Sequence, residues 1–352
     1  MAVKTAPVAR QGVRRSLGRR LRRAGTALGM VALALTLTWL ALTQTRTRHP
    51  GPAFNRGTNA IWIAHAWVEE ERDEAAVAAL ARELTARQIR YVYAHVGPLE
   101  ADGTIPPERY PRAEPFALAL KRHAPDLVLL AWIGQVERRG GGILDLDDTG
   151  VRGRVAATAG HFAATPGWDG VHLDIEPVFD ADARFLALLD ETRPALGGRT
   201  LSLATPKWLP GRRWDRLVSR PVAAVWSAPY YREVARRADQ LAVMMYDTAI
   251  PWGRAYSLYT KQQTTNILWA TRDTETQVLI GVPVYSGDSA GFHERAENIT
   301  TGLRGITAGL NNSPPESLAR FAGIAIYPHW QADGAEWAIY ERQWLGRAPD
   351  SR

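Results

Sequence analysis

The stretch Asp169-Gly170-Val171-His172-Leu173-Asp174-Ile175-Glu176-Pro177 holds the residues best suited to chemistry. His172, Asp174 and Glu176 alternate with the aliphatic Val171, Leu173 and Ile175. A period of two places the two sets on opposite faces of a strand. Pro177 supplies no ladder donor, so the strand is expected to end at Glu176. In α/β enzymes that end of a strand is where the chemistry sits. Alternate residues lie about 6.5 Å apart along a strand. Two acids held that close in a recess repel, and burial disfavours both charged forms. One then ionises while the other keeps its proton near neutral pH, an arrangement suited to general acid catalysis at a glycosidic oxygen. Glu176, at the rim, is the expected acid. Asp174, one step deeper, is the expected orienting group, with His172 below it as its hydrogen-bond partner. A solvated amphipathic strand would alternate in the same way and is the competing reading.

The elements that must position these residues follow from hydrophobic periodicity. Strands are expected at 60–66, 90–96, 127–133, 170–176, 200–204, 240–245, 277–284 and 323–327. Helices are expected near 71–87, 115–123, 150–164, 181–195, 230–237, 257–272, 294–310 and 334–345. Strand and helix alternate eight times, which predicts a (β/α)8 TIM barrel over residues 59–346. A doubly wound sheet is the alternative architecture.

With these elements in place, the chain resembles glycoside hydrolase family 18, the chitinases and endo-β-N-acetylglucosaminidases. Asp169-Gly170-x-His172-x-Asp174-x-Glu176 resembles the family's DGxDxDxE signature. Met244-Met245-Tyr246-Asp247 resembles its MxYD motif, Ala204-Thr205-Pro206 its A-x-P, and Gly281-Val282-Pro283-Val284-Tyr285 its G-x-P-x-Y. All four fall in the family's order. The resemblance implies a retaining mechanism in which the substrate's 2-acetamido oxygen attacks the anomeric carbon and Glu176 protonates the leaving oxygen. It further implies that Asp174 orients the acetamido group, that Tyr246 hydrogen-bonds its oxygen, that Asp247 binds the sugar or helps hold the site, and that Asp169 supports the residues that touch the substrate. The sequence departs from the family at three places. The middle acid is His172, the third-strand SxGG is echoed only in Ile133-Gly134, and the eighth-strand tryptophan is replaced by Tyr327, with Trp330 three residues on.

Tyr327, Trp330, Tyr285 and Trp67 are expected to contact substrate, and His95 to stand beside the cleft. Trp208, Trp252, Tyr256 and Trp337 also suit stacking on the apolar face of a pyranose. His172, Asp174 and Glu176 are hard or borderline metal donors. Three residues on one straight strand converge poorly on an ion, so neither metal nor cofactor is expected. Two other enzyme classes come close. Family 25 lysozymes also end a strand in Asp-x-Glu, which keeps a peptidoglycan muramidase as an alternative. Clan A glycosidases need a second Glu where this chain has Val284-Tyr285-Ser286. A non-catalytic glycan-binding barrel is the alternative outside enzymes. With no long insertion after the seventh strand, the substrate groove is expected to be shallow.

The 352 residues include no cysteine, which excludes disulfides and thiolate metal sites. The net charge of +7 is uneven. Residues 1–52 hold ten Lys or Arg and no acid, and the remainder has slightly more acids than bases. The basic character therefore belongs to the amino terminus and is no nucleic-acid footprint on the globular part. Residues 24–45 are uncharged and, as a helix, would span roughly 30 Å, the thickness of a hydrocarbon core. Residues 1–23 are expected to form a basic cytoplasmic tail, 24–45 a transmembrane signal anchor, 46–58 a linker and 347–352 a carboxy-terminal tail. That arrangement puts the barrel on the extracytoplasmic side. Secretion after cleavage of a signal peptide is the alternative. The expected partners are a polysaccharide and, through the first helix, a membrane.

Overall fold

The computed structural model describes residues 29–34, 48–208, 225–289 and 291–348. The chain divides into two units, Met1–Arg46 and Thr47–Arg352. In the first, only the helical residues 29–34 are described. The rest of the expected anchor 24–45 and the whole basic tail 1–23 lie outside the described residues. Among the described residues, no helix is long and apolar enough to cross a membrane. The transmembrane element of the expected fold is therefore unsupported.

The second unit is built on eight parallel strands: β1 (Asn59–Ile63), β2 (Ile89–Pro98), β3 (Val128–Val136), β4 (Gly170–Glu176), β5 (Thr200–Thr205), β6 (Gln240–Val243), β7 (Gln277–Pro283) and β8 (Phe321–Tyr327). They close in the order β1-β8-β7-β6-β5-β4-β3-β2, the TIM-barrel topology. The helices α1 (Glu74–Ala86), α2 (Ala113–His123), α3 (Thr149–Ala164), α4 (Ala183–Ala195), α5 (Ala228–Ala235), α6 (Gly253–Thr271), α7 (Ile299–Asn311) and α8 (Gly334–Tyr340) accompany them. Asp73, Asp148, Asp182, Asn298 and Asp333 start α1, α3, α4, α7 and α8, each accepting from first-turn amides that would otherwise have no partner.

Strand alternation divides the core in two. Ile61, Ile63, Leu129, Ala131, Leu201, Leu203 and Leu241 point outward into the layer under the helices. Ala60, Trp62, Tyr93, Leu130, Ala242, Leu279 and Ala325 point inward and fill the lumen, large rings set against alanines. On β4, Val171, Leu173 and Ile175 belong to the outer layer. Each is worth about 1.5–3 kcal/mol buried rather than exposed. A slip of one residue would forfeit that burial and turn His172, Asp174 and Glu176 into the helix layer. Packing of the aliphatic half of β4 thus fixes the aim of its ionisable half.

Differences from the expected boundaries have local causes. β6 ends at Val243, two residues early, because Asp247 and Ala249 take positive φ (52° and 55°) and turn the chain across the barrel mouth. α7 begins at Ile299, where Asn298 and Thr301 form a reciprocal cap, and not at Glu294. The described part of the expected linker is docked on the barrel. His49 N donates to Asn311 Oδ1 (2.8 Å), Arg56 to Leu318 O (2.9 Å) and Thr58 Oγ1 to Ala322 O (2.6 Å). Gly51 lies so close to Gln343 O that a Cβ there would sit 2.4 Å from it.

Candidate active site

Asp174 and Glu176 open into a recess of about 310 Å³ at the carboxyl ends of the barrel strands. Trp62, Trp132, Lys207, Tyr246, Asp247 and Tyr327 also line it. The set comes from the ends of six elements, as in enzymes of this architecture. The expected shallow groove takes the form of this partly enclosed recess.

Trp132, on the neighbouring β3, donates its indole N–H to Asp174 Oδ2 at 2.8 Å. Register makes the contact possible, since Gly134 pairs with Asp174 and Trp132 with His172. Gly134 lets the two strands approach closely, since a Cβ there would sit 3.2 Å from Asp174 O. Asp174 Oδ1 is buried and has no hydrogen-bond partner among the described residues. Burial raises the Asp174 carboxyl above its ordinary range, and the Trp132 bond opposes the rise.

Glu176 is raised too, first by its recessed position and then by the negative charge of Asp174. Lys207 pulls the other way and Asp247 adds to the rise. Glu176 keeps solvent-facing surface at the mouth, so water moderates the rise without reversing it. A recessed acid that holds its proton beside a second carboxylate fits proton donation to a leaving group.

His172 does not hold Asp174. Its Nε2 accepts the Trp62 indole N–H (3.1 Å), and its Nδ1 contacts Ser202 Oγ (2.8 Å). Indole only donates, so Nε2 is the unprotonated nitrogen and Nδ1–H donates to Ser202. Ser202 in turn donates to Gln240 Oε1 (2.9 Å), which also accepts from Tyr93 OH (2.5 Å). The imidazole stacks on Tyr93, with centroids 3.9 Å apart and planes at 11°. Full burial lowers its pKa to about 3, so the ring is neutral. The expected support for Asp174 is corrected: the lumen supplies His172 with other partners, and Trp132 takes the role.

The end of β6 delivers Tyr246 and Asp247. Tyr246 is buried and stacks on Tyr327 (5.0 Å, 12°). Asp247 Oδ1 accepts from Tyr285 OH at 2.6 Å. The buried Glu297 fixes the following residue, accepting from Thr248 N (3.1 Å) and Thr248 Oγ1 (2.8 Å). A non-glycine residue at φ 52° costs free energy, and these bonds hold it there.

Other expected residues fall elsewhere. Trp67 does not line the recess. It packs on Phe116 of α2 at 5.6 Å, with Arg72 over its ring. Asp169 ties the opposite end of β4, accepting from Leu129 N (2.8 Å) and pairing with Lys121 (2.5 Å). It lies seven positions before Glu176, about 23 Å at strand rise. Trp330 is exposed, 5.9 Å from Tyr327. Tyr256 and Trp337 are buried, the first bonded to Met245 O and the second under Arg87. Trp208 is clamped through its backbone by Gln263, and Trp252 is exposed. His95, half-buried, stands 4.6 Å from Trp132, and partial desolvation lowers its pKa to about 4.

Lys207, Trp62 and Trp132 were not foreseen. Lys207 follows the A-x-P element by one residue, at the rim of β5, and an ionisable side chain at that position was a readable signal. Trp62 and Trp132 lie inside apolar strands, where nothing but register separates a lining ring from a packing ring.

No family model and no curated protein matches the chain. Solved structures do. A class V chitinase from Pseudomonas fluorescens Pf-5 superimposes with a TM-score of 0.53 at 15% identity, over 82% of this chain and 99% of that one. A Group IV chitinase from Ostrinia furnacalis gives 0.54 at 15%, over 82% and 100%. The Bacillus cereus spore cortex-lytic enzyme SleL gives 0.52 at 13%, over 81% and 74%. The likeness is one of fold. It spans nearly the whole barrel unit, and at such identities the roles of individual residues rest on the geometry above.

Proposed function

We propose that the chain is a glycoside hydrolase of the family 18 type, cleaving glycans that contain β-linked N-acetylglucosamine. The observation that carries this reading is the placement of Asp174, Glu176, Tyr246 and Tyr327 around one recess at the carboxyl ends of the strands. The structural neighbours add support, since two are named as chitinases and one as a cortex-lytic enzyme.

In the proposed mechanism Glu176 donates its proton to the leaving glycosidic oxygen. The substrate's 2-acetamido oxygen closes on the anomeric carbon as that bond breaks. Asp174 faces the acetamido N–H and balances the positive charge that develops, while Tyr246 donates to the acetamido oxygen. Glu176, now a carboxylate, takes a proton from the water that opens the intermediate, with net retention. Asp174 Oδ1, without a partner among the described residues, is the acceptor for this task. Tyr327 and Tyr246 present an aromatic wall to the sugar, and Asp247 is held for a sugar hydroxyl by Tyr285. The test compares N-acetylglucosamine oligomers with matched oligomers bearing a 2-hydroxyl. Cleavage of the first with retained anomeric configuration, and no cleavage of the second, supports the reading. Equal cleavage of both rules out substrate assistance.

We further propose that residues 24–45 tether the barrel outside the cytoplasmic membrane, on the strength of their uncharged composition and basic flank. Protease accessibility of the barrel in spheroplasts tests this.

A further inference from the structure

Lys207 is unusual among the residues of the recess. It lies in a two-residue strand, Lys207–Trp208, paired with Val225–Trp226. Gln263 of α6 holds that strand from both sides, its Oε1 accepting from Trp208 N (2.7 Å) and its Nε2 donating to Trp208 O (2.9 Å). Tyr231 OH donates to Pro206 O just before it. The backbone under Lys207 is therefore fixed. Its ammonium carries three donors. The contact it makes among the described residues is to Asp247 O at 3.5 Å, beyond the usual range of about 2.7–3.2 Å. Asp247, Glu176 and Glu297 lie near enough to act on its charge, yet none forms an ion pair with it. Lys207 is half-buried on the recess wall, so its ammonium can reach a bound ligand with the donors that Asp247 O does not engage.

We propose that Lys207 is the anion-recognising residue of the recess, and that the glycan it selects bears a carboxylate substituent beside the N-acetylglucosamine. This rests on the reading of the recess as a glycan site. The geometry confines the carboxylate to one wall. Deeper in the recess it would face Asp174 with no cation beside it, and repulsion would reject it, whereas at Lys207 the ammonium offsets the nearby Asp247 and Glu176. At Lys207 it meets a cation held in place, with donors to spare. Two sugar chemistries supply such a group: a lactyl ether, as on alternate residues of peptidoglycan strands whose stem peptides have been removed, and the C6 carboxylate of a uronic acid, as in hyaluronan.

The test uses the full chain carrying Glu176→Gln, so that binding is measured without turnover. Affinity is determined by calorimetry for peptide-free peptidoglycan glycan strands, for hyaluronan oligomers and for each after methyl esterification. The expected result is that one carboxylated glycan binds about tenfold tighter than its ester, the worth of one charge-assisted hydrogen bond. Adding Lys207→Met removes the difference, Lys207→Arg keeps it, and a thermal melt verifies that each variant is folded. Which glycan shows the difference identifies the source of the carboxylate. Equal affinity for acid and ester, or a preference that survives Lys207→Met, overturns the proposal. Turnover of N-acetylglucosamine oligomers by the parent chain is measured in parallel. Preference without turnover would overturn the catalytic reading and keep Lys207 as an anion site. Turnover without preference would do the reverse.

Discussion

Trp132 and Asp174 face each other across the β3–β4 ladder, indole N–H to Oδ2 at 2.8 Å, and the second carboxylate oxygen has no partner among the described residues. One oxygen is thus held by the protein, and the other is available to a ligand. Trp132→Phe keeps the ring and removes the donor. It should lower kcat about 10- to 100-fold, the range for loss of a partner that orients a catalytic group. Because the lost bond had lowered the Asp174 pKa, the acid limb of kcat/KM should move to higher pH. A pH–rate profile of the variant checks both effects.

The two raised carboxylates predict a bell-shaped profile. Activity should rise as Asp174 ionises and fall as Glu176 loses its proton, with both limbs above the ordinary carboxylate range. Lys207 lowers the Glu176 pKa through its positive charge. Lys207→Met should therefore move the basic limb to higher pH. Steady-state kinetics with a neutral oligomer across the pH range reads the shift, and a shift to lower pH would mean that Lys207 acts on another group.

His172 predicts an acid-linked loss of stability. The unfolded imidazole binds a proton below about 6.5, whereas the buried ring stays neutral down to about 3. Over that window the unfolded state holds more protons, so stability falls as pH drops, at up to about 1.4 kcal/mol per pH unit. His172→Gln offers Trp62 an acceptor and Ser202 a donor without a titrating group. Urea unfolding of parent and variant at several pH values should show the parent losing one proton's worth more. Parallel slopes would contradict the assignment.

How far the sequence revealed this follows from the kind of signal each residue leaves. The alternation on β4 was legible because one face had to be buried, and the placement of Val171, Leu173 and Ile175 in the outer layer bears out that part of the reading. The eight strands were legible as short apolar runs, since a barrel strand is buried on both faces. The partners of His172 were not. Trp62, Tyr93, Ser202 and Gln240 come from four other strands, and their meeting depends on barrel register and stagger, which no local pattern encodes. Trp67 was misplaced on the same ground, because its position after β1 does not say which way the short helix Ala66–Glu69 turns it.

Asp169 predicts the opposite behaviour from Glu176. It bonds Leu129 N and Lys121 at the far end of β4. Asp169→Asn should cost about 1–3 kcal/mol of stability, as expected for a partly buried charged hydrogen bond. At temperatures where the variant is folded, kcat should be unchanged. Denaturant midpoints and kcat measured on the same sample separate stability from catalysis, and a large fall in kcat would place Asp169 in the chemistry.

The central claim is that Glu176 is the acid of a glycosidase. The most direct measurement incubates the parent chain and Glu176→Gln with N-acetylglucosamine oligomers and with purified peptidoglycan, and reads the products by mass spectrometry. The account predicts defined oligosaccharide products from the parent and a rate about 10²- to 10⁴-fold lower from the variant, the usual worth of a general acid. Equal cleavage by both, or no cleavage of either glycan by the folded parent, would contradict it.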